Sequence, residues 1–260
     1  MPELPDVDTF RHRFDTTARG HRVEHTSVSD TRILEDVTRQ RLAQRLHGQR
    51  LDDSRRHGKY LFLRGGDAGW LVLHFGMTGE LIYDSDSDDA RLVLDLDRDH
   101  RLLYTSRRML GRVGFTEDVD RFVEDHDLGP DAMSDDLDAE TFVARIRGRS
   151  GMIKSKLMDQ SRIAGLGNVY TDEILFQAGV HPRRATDTFD TDELHALHRV
   201  MRRVLRVTTD HGADPGEFPR GYLTPRREEG AECPRCDGPI ETCSVSGRTS
   251  YVCPRCQPAP

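Results

Sequence analysis

No apolar run in this 260-residue chain approaches the roughly 20 residues that a helix needs to cross a bilayer. The N-terminus also lacks the charged-then-apolar pattern of a secretion signal, so we expect a soluble, cytoplasmic protein. Lysine is nearly missing: of 38 basic residues only Lys59, Lys154 and Lys156 are lysines. Aspartate outnumbers glutamate and the net charge is -7, a composition suited to a salty cytoplasm or a high-GC source. That sign speaks against a polyanionic partner unless the charge is unevenly placed. There is no internal repeat and no βαβ succession, which excludes solenoids and doubly wound sheets. With 35% hydrophobic and 32% charged residues and a mean hydropathy of -0.67, two modest domains are more natural than one large core.

The charge is indeed uneven. Thr116 to Glu140 holds eleven acids and one arginine, whereas Arg147 to Arg184 holds seven bases and three acids, a stretch on which a polyanion could dock. The acidic segment contains Gly129-Pro130 and reads as a solvated boundary between two halves. Before it, Tyr60 to Arg64, Trp70 to Phe75, Arg91 to Leu96 and Arg101 to Thr105 are short strand-like runs. Asp97 to His100 is the turn of a hairpin. With Val7, Phe10 and Phe14 at helical spacing ahead of them, this half is expected to be a β-sandwich or barrel with a leading helix. The run Asp84 to Asp89 has the acids of a calcium loop but lacks its glycine, and is expected to be a solvated hairpin loop. After it the period changes. Val169 to Ala178 ends at Gly179, and Leu194, Leu197, Met201, Val204 and Leu205 form a stripe capped by Asp190 or Thr191, so the second half is helical.

Four segments carry candidate chemistry. Removal of Met1 would make the ring nitrogen of Pro2 the α-amine, beside the carboxylate of Glu3; such an amine, with a reference pKa of about 7.7 to 8.0, is a possible covalent catalyst. The same residues also read as an ordinary helix start. Cys233-Pro-Arg-Cys236 and Cys253-Pro-Arg-Cys256, sixteen residues apart, fit tetrahedral coordination of one structural zinc ion; two disulfides are the alternative, and Cys243 is a spare thiol. Between them, Gly247-Arg248-Thr249-Ser250-Tyr251 is a turn whose arginine either grips a phosphate or merely faces solvent. The loop Ser161 to Asn168 delivers backbone N–H groups to a helix start, which makes an anion site or simply close packing, and Lys154 upstream favours phosphate.

Taken in order, Met1-Pro-Glu-Leu-Pro, His57-Gly-Lys59-Tyr-Leu, His74-Phe-Gly-Met77-Thr-Gly, Ala164-Gly-Leu-Gly-Asn168-Val-Tyr-Thr-Asp-Glu173 and the cysteine knuckles resemble the formamidopyrimidine-DNA glycosylase and endonuclease VIII family along the whole chain. The resemblance implies an α+β multidomain protein. Its parts would be an N-terminal catalytic β-sandwich with a leading helix (1–116), an acidic linker (117–134), a helix-two-turn-helix DNA-binding domain (135–225) and a four-cysteine zinc finger (226–260), with DNA in the cleft between halves. It implies that Pro2 attacks the sugar C1′ of a flipped-out nucleoside and that Glu3 handles protons at the opening sugar. Lys59, His74, Asn168 and Arg248 would hold the backbone around the lesion, with Lys59 and Arg248 counted also among the catalytic groups. Without the resemblance, His74 reads as a satisfied histidine at a strand end. Met77 and Leu110, with Arg108, would fill the vacated stack; the alternative is that both apolar side chains belong to the core.

Three positions depart from the family's pattern. Leu110 replaces the phenylalanine of a segment usually written Arg-Arg-Phe-Gly, Asp6 replaces a glutamate, and Thr208 to Glu232 is shorter than the loop with which purine-specific members cover the flipped base. The resemblance thus implies a bifunctional glycosylase and abasic-site lyase of base excision repair, a monomer acting on duplex DNA that carries damaged bases or abasic sites. The wording of its motifs lies nearer the formamidopyrimidine branch, which implies oxidised purines such as 8-oxoguanine. Oxidised pyrimidines are the alternative within the family. A non-catalytic binder of damaged DNA is the alternative outside it, opposed by the intact Pro2-Glu3 pair.

Overall fold

The computed structural model describes residues 2–148 and 151–260. They form two compact units, one from Pro2 and Asp6–His126, the other from Glu3–Pro5 and Asp127–Pro260. Among the described residues, no helix is long and apolar enough to cross a membrane.

Helix α1 (Leu4–Thr16) opens the chain and is followed by β1 (Val23–Val28), α2 (Arg39–Leu46) and seven strands: β2 (Leu51–His57), β3 (Tyr60–Gly65), β4 (Trp70–His74), β5 (Gly79–Tyr83), β6 (Ala90–Leu96), β7 (Arg101–Ser106) and β8 (Arg112–Thr116). They make two antiparallel four-stranded sheets, in the orders β1-β6-β7-β5 and β2-β3-β4-β8. Between the sheets lies a core to which Phe10 and Phe14 of α1, Leu61, Leu63, Leu71 and Leu73 of one sheet and Leu92, Leu94, Leu96 and Tyr104 of the other contribute. This is a sandwich. The opposite face of β3 and β4, with Phe62 and Val72, is covered by Val119 and Phe122 of α3 (Val119–Asp125), which is why these two strands read as unbroken apolar runs.

One expectation changes here. Asp84 to Asp89 does not close a hairpin, because β7 lies between β5 and β6; its acids pair instead with basic side chains, Asp84 with His100 at 2.6 Å, Asp86 with Arg101 at 2.7 Å and Asp89 with Arg107 at 2.9 Å. The division into units falls inside the acidic segment, between His126 and Asp127, and two of the segment's acids are helix caps. Asp118 caps α3, and Asp138 caps α4 (Ala139–Ile146), accepting the N–H of Thr141 at 2.7 Å.

The second unit continues with α5 (Ile153–Leu157), α6 (Asn168–Ala178) and α7 (Thr191–Asp210), and ends in a hairpin of β9 (Glu241–Val245) and β10 (Arg248–Val252). Asp190 and Glu193 form a reciprocal capping box at the start of α7. One core joins Leu4, Phe142, Ile153, Leu166, Tyr170, Leu197 and Met201, and a smaller one joins Phe176 and Leu223 to Cys233, Ile240 and Cys253. The finger is therefore packed on the C-terminal half of α6.

Candidate active site and nucleic-acid interface

The first N–H groups of a helix have no partner inside it and attract anions. At the start of α6 that anion is not a phosphate. It is the carboxylate of Glu3, fully buried, whose Oε2 accepts the N–H groups of Gly167 at 2.8 Å and Tyr170 at 3.2 Å while Oε1 accepts that of Val169 at 2.8 Å. The glycine loop thus meets the expectation of an anion site and corrects its occupant. Gln160 fixes the loop from within: its Oε1 accepts the N–H of Gly165 at 3.1 Å, and its Nε2 donates to the carbonyls of Met158 and Leu166, each at 2.8 Å. The carbonyl of Gly165 in turn accepts the N–H of Leu4 at 3.1 Å. A Cβ on Gly167 would come within 2.4 Å of both Cδ and Oε1 of Glu3, so only glycine leaves room for the carboxylate. Pro2, half-buried, is one peptide bond from this anchor. Met1 lies outside the described residues, as does Arg149 of the basic stretch.

In the first unit, the turn between β2 and β3 carries Lys59, and β4 ends at His74, paired in register with Tyr60 on one side and Arg112 on the other. The His74 imidazole lies 4.9 Å from the Tyr60 ring, and its Nδ1 accepts the N–H of Gly76 at 3.4 Å. Burial, aided by the positive charges of Lys59 and Arg112, pushes its pKa down to about 4. It is therefore a neutral imidazole with its proton on Nε2, able to donate a hydrogen bond without adding charge. Met77 and Leu110 are large apolar side chains left 41% and 44% exposed, so neither belongs to the core. Their loops meet backbone to backbone: a Cβ on Gly76 would lie 2.5 Å from the carbonyl carbon of Leu110 and 2.6 Å from the nitrogen of Gly111. Arg108 is exposed on the same loop as Leu110.

The four cysteine sulfurs all lie within 4.8 Å of one another, with Cys233 3.8 Å from Cys256 and Cys236 3.4 Å from Cys253. A tetrahedron of thiolates about 2.3 Å from a zinc ion has edges of about 3.8 Å, whereas a disulfide brings its sulfurs to about 2.05 Å. The cluster fits one structural zinc ion. Cys243 stands apart, facing Ser250 across the hairpin.

Arg248 opens β10, exposed, after a turn in which Ser246 and Gly247 have φ of 49° and 74°, the left-handed pair that suits a two-residue hairpin. Asn168, the first residue of α6, donates its Nδ2 hydrogen to the carbonyl of Thr249 at 3.0 Å. Lys154 requires a correction. Expected on a phosphate, it is fully buried: its Nζ donates to Asp172 Oδ1 at 2.6 Å and Ser250 Oγ at 2.6 Å, with the carbonyl of Thr249 at 3.5 Å. Asp172 Oδ2 also takes Arg227 at 2.8 Å and the N–H of Tyr251 at 3.3 Å. Sequence reasoning missed Asp172, Arg227 and Gln160, and missed Glu173 as an anchor. The buried Glu173 carboxylate accepts the N–H of Leu223 at 3.2 Å and both the N–H and the hydroxyl of Thr224 at 2.7 Å, and burial raises its pKa. Adjacent acids on a helix otherwise rich in apolar residues were the available signal.

Comparison with known proteins gives the same frame. Residues 1–113 match the formamidopyrimidine-DNA glycosylase N-terminal domain, 128–217 the formamidopyrimidine-DNA glycosylase H2TH domain and 230–259 the zinc finger found in FPG and IleRS. The chain is 32% identical to the formamidopyrimidine-DNA glycosylase of Laribacter hongkongensis, over 99% of this chain and 100% of that protein. It is 31% identical to that of Chloroflexus aggregans, over 99% and 98%. A solved complex of Lactococcus lactis Fpg with DNA containing an abasic site aligns with a TM-score of 0.88 at 26% identity, covering 99% of this chain and 100% of that one. Sandwich, helical domain and four-cysteine finger in this order define a DNA glycosylase of base excision repair. Within that class, the chain belongs to the formamidopyrimidine-DNA glycosylase family.

Proposed function

We propose that the chain excises oxidised bases from duplex DNA through its own N-terminal proline and then nicks the strand. The observation that carries this is the Glu3 carboxylate, held by three backbone N–H groups one peptide bond from Pro2. Once Met1 is removed, the Pro2 amine forms a bond to C1′ of the flipped nucleoside and the bond from C1′ to the base breaks. Glu3 serves as the proton carrier at the sugar ring oxygen as the ring opens to an iminium. Loss of a proton from C2′ then expels the 3′ phosphate, the lyase step. Lys59, His74, Asn168 and Arg248 grip the backbone around the lesion, and Met77, Arg108 and Leu110 fill the vacated stack. Zinc supplies the fold of the hairpin that bears Arg248. The enzyme would act in the cytoplasm, on nucleoid DNA.

Oxidised purines are the favoured substrates, on the wording of the motifs. One observation favours oxidised pyrimidines: the short stretch that follows α7 buries Phe218, Tyr222 and Leu223 in the unit's own cores, and Glu173 ties down Leu223 and Thr224. Those three side chains are packed inward, not poised over a base. Incubation with duplexes bearing 8-oxoguanine or an oxidised pyrimidine tests both readings. Base release with strand nicking is expected, faster on the purine; faster cutting of the pyrimidine reverses the substrate assignment, and base release without nicking removes the lyase step.

A further inference from the structure

We propose that Lys154 is a positioning residue: from beneath the finger's hairpin it fixes Thr249 and Ser250 and thereby aims Arg248 at the DNA backbone. The inference rests on the proposed function, in which Arg248 is a phosphate contact. The hairpin is tied on both sides of Arg248. Ahead of it, Ser246 Oγ lies 2.7 Å from Ser155 Oγ, and the carbonyl of Ser244 accepts both Nε and a terminal nitrogen of Arg183 at 3.1 Å. Behind it, Thr249 is held by Asn168 and Lys154, Ser250 by Lys154, and Tyr251 by Asp172.

Charge explains why a lysine stands there. Asp172 meets two cations, the buried Lys154 at 2.6 Å and the partly exposed Arg227 at 2.8 Å, so it shares its single negative charge between them. The hydroxyl of Ser250 and the carbonyl of Thr249 complete the shell of the ammonium, and a buried ammonium that lost them would be left under-solvated. The hairpin is thus pulled onto the lysine. The atoms that touch Lys154 belong to β10, not to the cysteine knuckles. The contact is also out of reach of the short-range reading that put Lys154 on a phosphate: Ser250 is 96 positions away.

The test is equilibrium binding of the full-length, zinc-loaded protein to a duplex carrying a tetrahydrofuran abasic analogue, across a KCl titration. Arg248→Ala should lower the slope of log affinity against log salt by about one phosphate contact. Lys154→Met should do the same, and the double variant should match either single variant. Ser250→Ala, which keeps the ion pair, should show part of the loss, and only when Arg248 is present; it decides the matter if Lys154→Met does not fold. A double variant that loses two contacts would mean that Lys154 touches phosphate itself. A lowered melting temperature with an unchanged slope in Lys154→Met would mean that it only stabilises the fold. Either result overturns the proposal, as does a Ser250→Ala protein that binds like wild type or an Arg248→Ala protein with the wild-type slope. Binding requires no chemistry, so a glycosylase that failed to form a covalent adduct would still give a readable answer here.

Discussion

Glu3 and Gly167, 164 positions apart, share one space: the Glu3 carboxyl carbon lies 2.4 Å from where a side chain on Gly167 would begin. The glycine loop thus holds the Glu3 carboxylate by presenting N–H groups with no side chain in the way. A helix N-terminus, often a binding site for a ligand's phosphate, is here given to the protein's own acid.

Gly167→Ala should therefore separate binding from chemistry. The added methyl must push Glu3 off its three donors, and a misplacement of about 1 Å costs cleavage on the order of 100-fold. Affinity for an abasic-analogue duplex should stay within a few-fold of wild type. Single-turnover cleavage beside equilibrium binding checks this; equal losses in both would assign the glycine to the fold alone.

His74 gives a pH dependence with a definite sign. Its pKa is lowered to about 4 in the folded chain, against an ordinary value of about 6.5, so at pH between these the unfolded chain binds a proton that the folded one refuses. Its cost to stability is absent above pH 6.5, grows as pH falls towards 4 and levels off below. Melting temperatures between pH 7 and pH 4.5 should fall less steeply in His74→Asn than in wild type. Because the imidazole is neutral, His74→Asn should also weaken DNA binding without changing its salt slope.

Met77 and Leu110 should tolerate truncation when DNA is absent. Both are substantially exposed, so Met77→Ala and Leu110→Ala should each change stability by no more than about 0.5 kcal/mol, unlike a core truncation. Excision of a paired lesion should slow, and the loss should shrink on a substrate whose base is already unpaired, because the wedge is needed only where stacking must be broken. Parallel melting curves and excision rates would show it.

Chelation of zinc should act on the second unit. Cys233 and Cys253 belong to the small core with Phe176, Leu223 and Ile240, so loss of the metal should open that cluster and release the hairpin with Arg248. Near-complete loss of DNA binding is expected, while the sandwich keeps its structure by amide exchange. Retained binding after verified metal loss would place the finger outside the interface.

Local signals were legible in the sequence and long-range ones were not. A cap at Asp190, the end of α6 at Gly179 and the apolar strands β3 and β4 all follow from neighbouring residues. Strand β2 was missed because it is an edge strand whose one fully buried side chain is Leu51; backbone pairing with β3, not an apolar pattern, makes it a strand. The caps Asp118 and Asp138 were missed within the acidic segment because caps and linkers use the same residue, aspartate. Lys154 misled for the opposite reason: its basic surroundings are close in sequence, whereas the Asp172 and Ser250 that bury it are brought there by the fold.

The most direct measurement is borohydride trapping on duplex DNA bearing a damaged base or an abasic site. The protein with Met1 removed should be captured in a covalent adduct that maps to Pro2, and a chain that retains Met1 should bind but give none. No adduct with the processed wild type, or an undiminished adduct in Pro2→Gly with Met1 removal blocked, would contradict the proline mechanism.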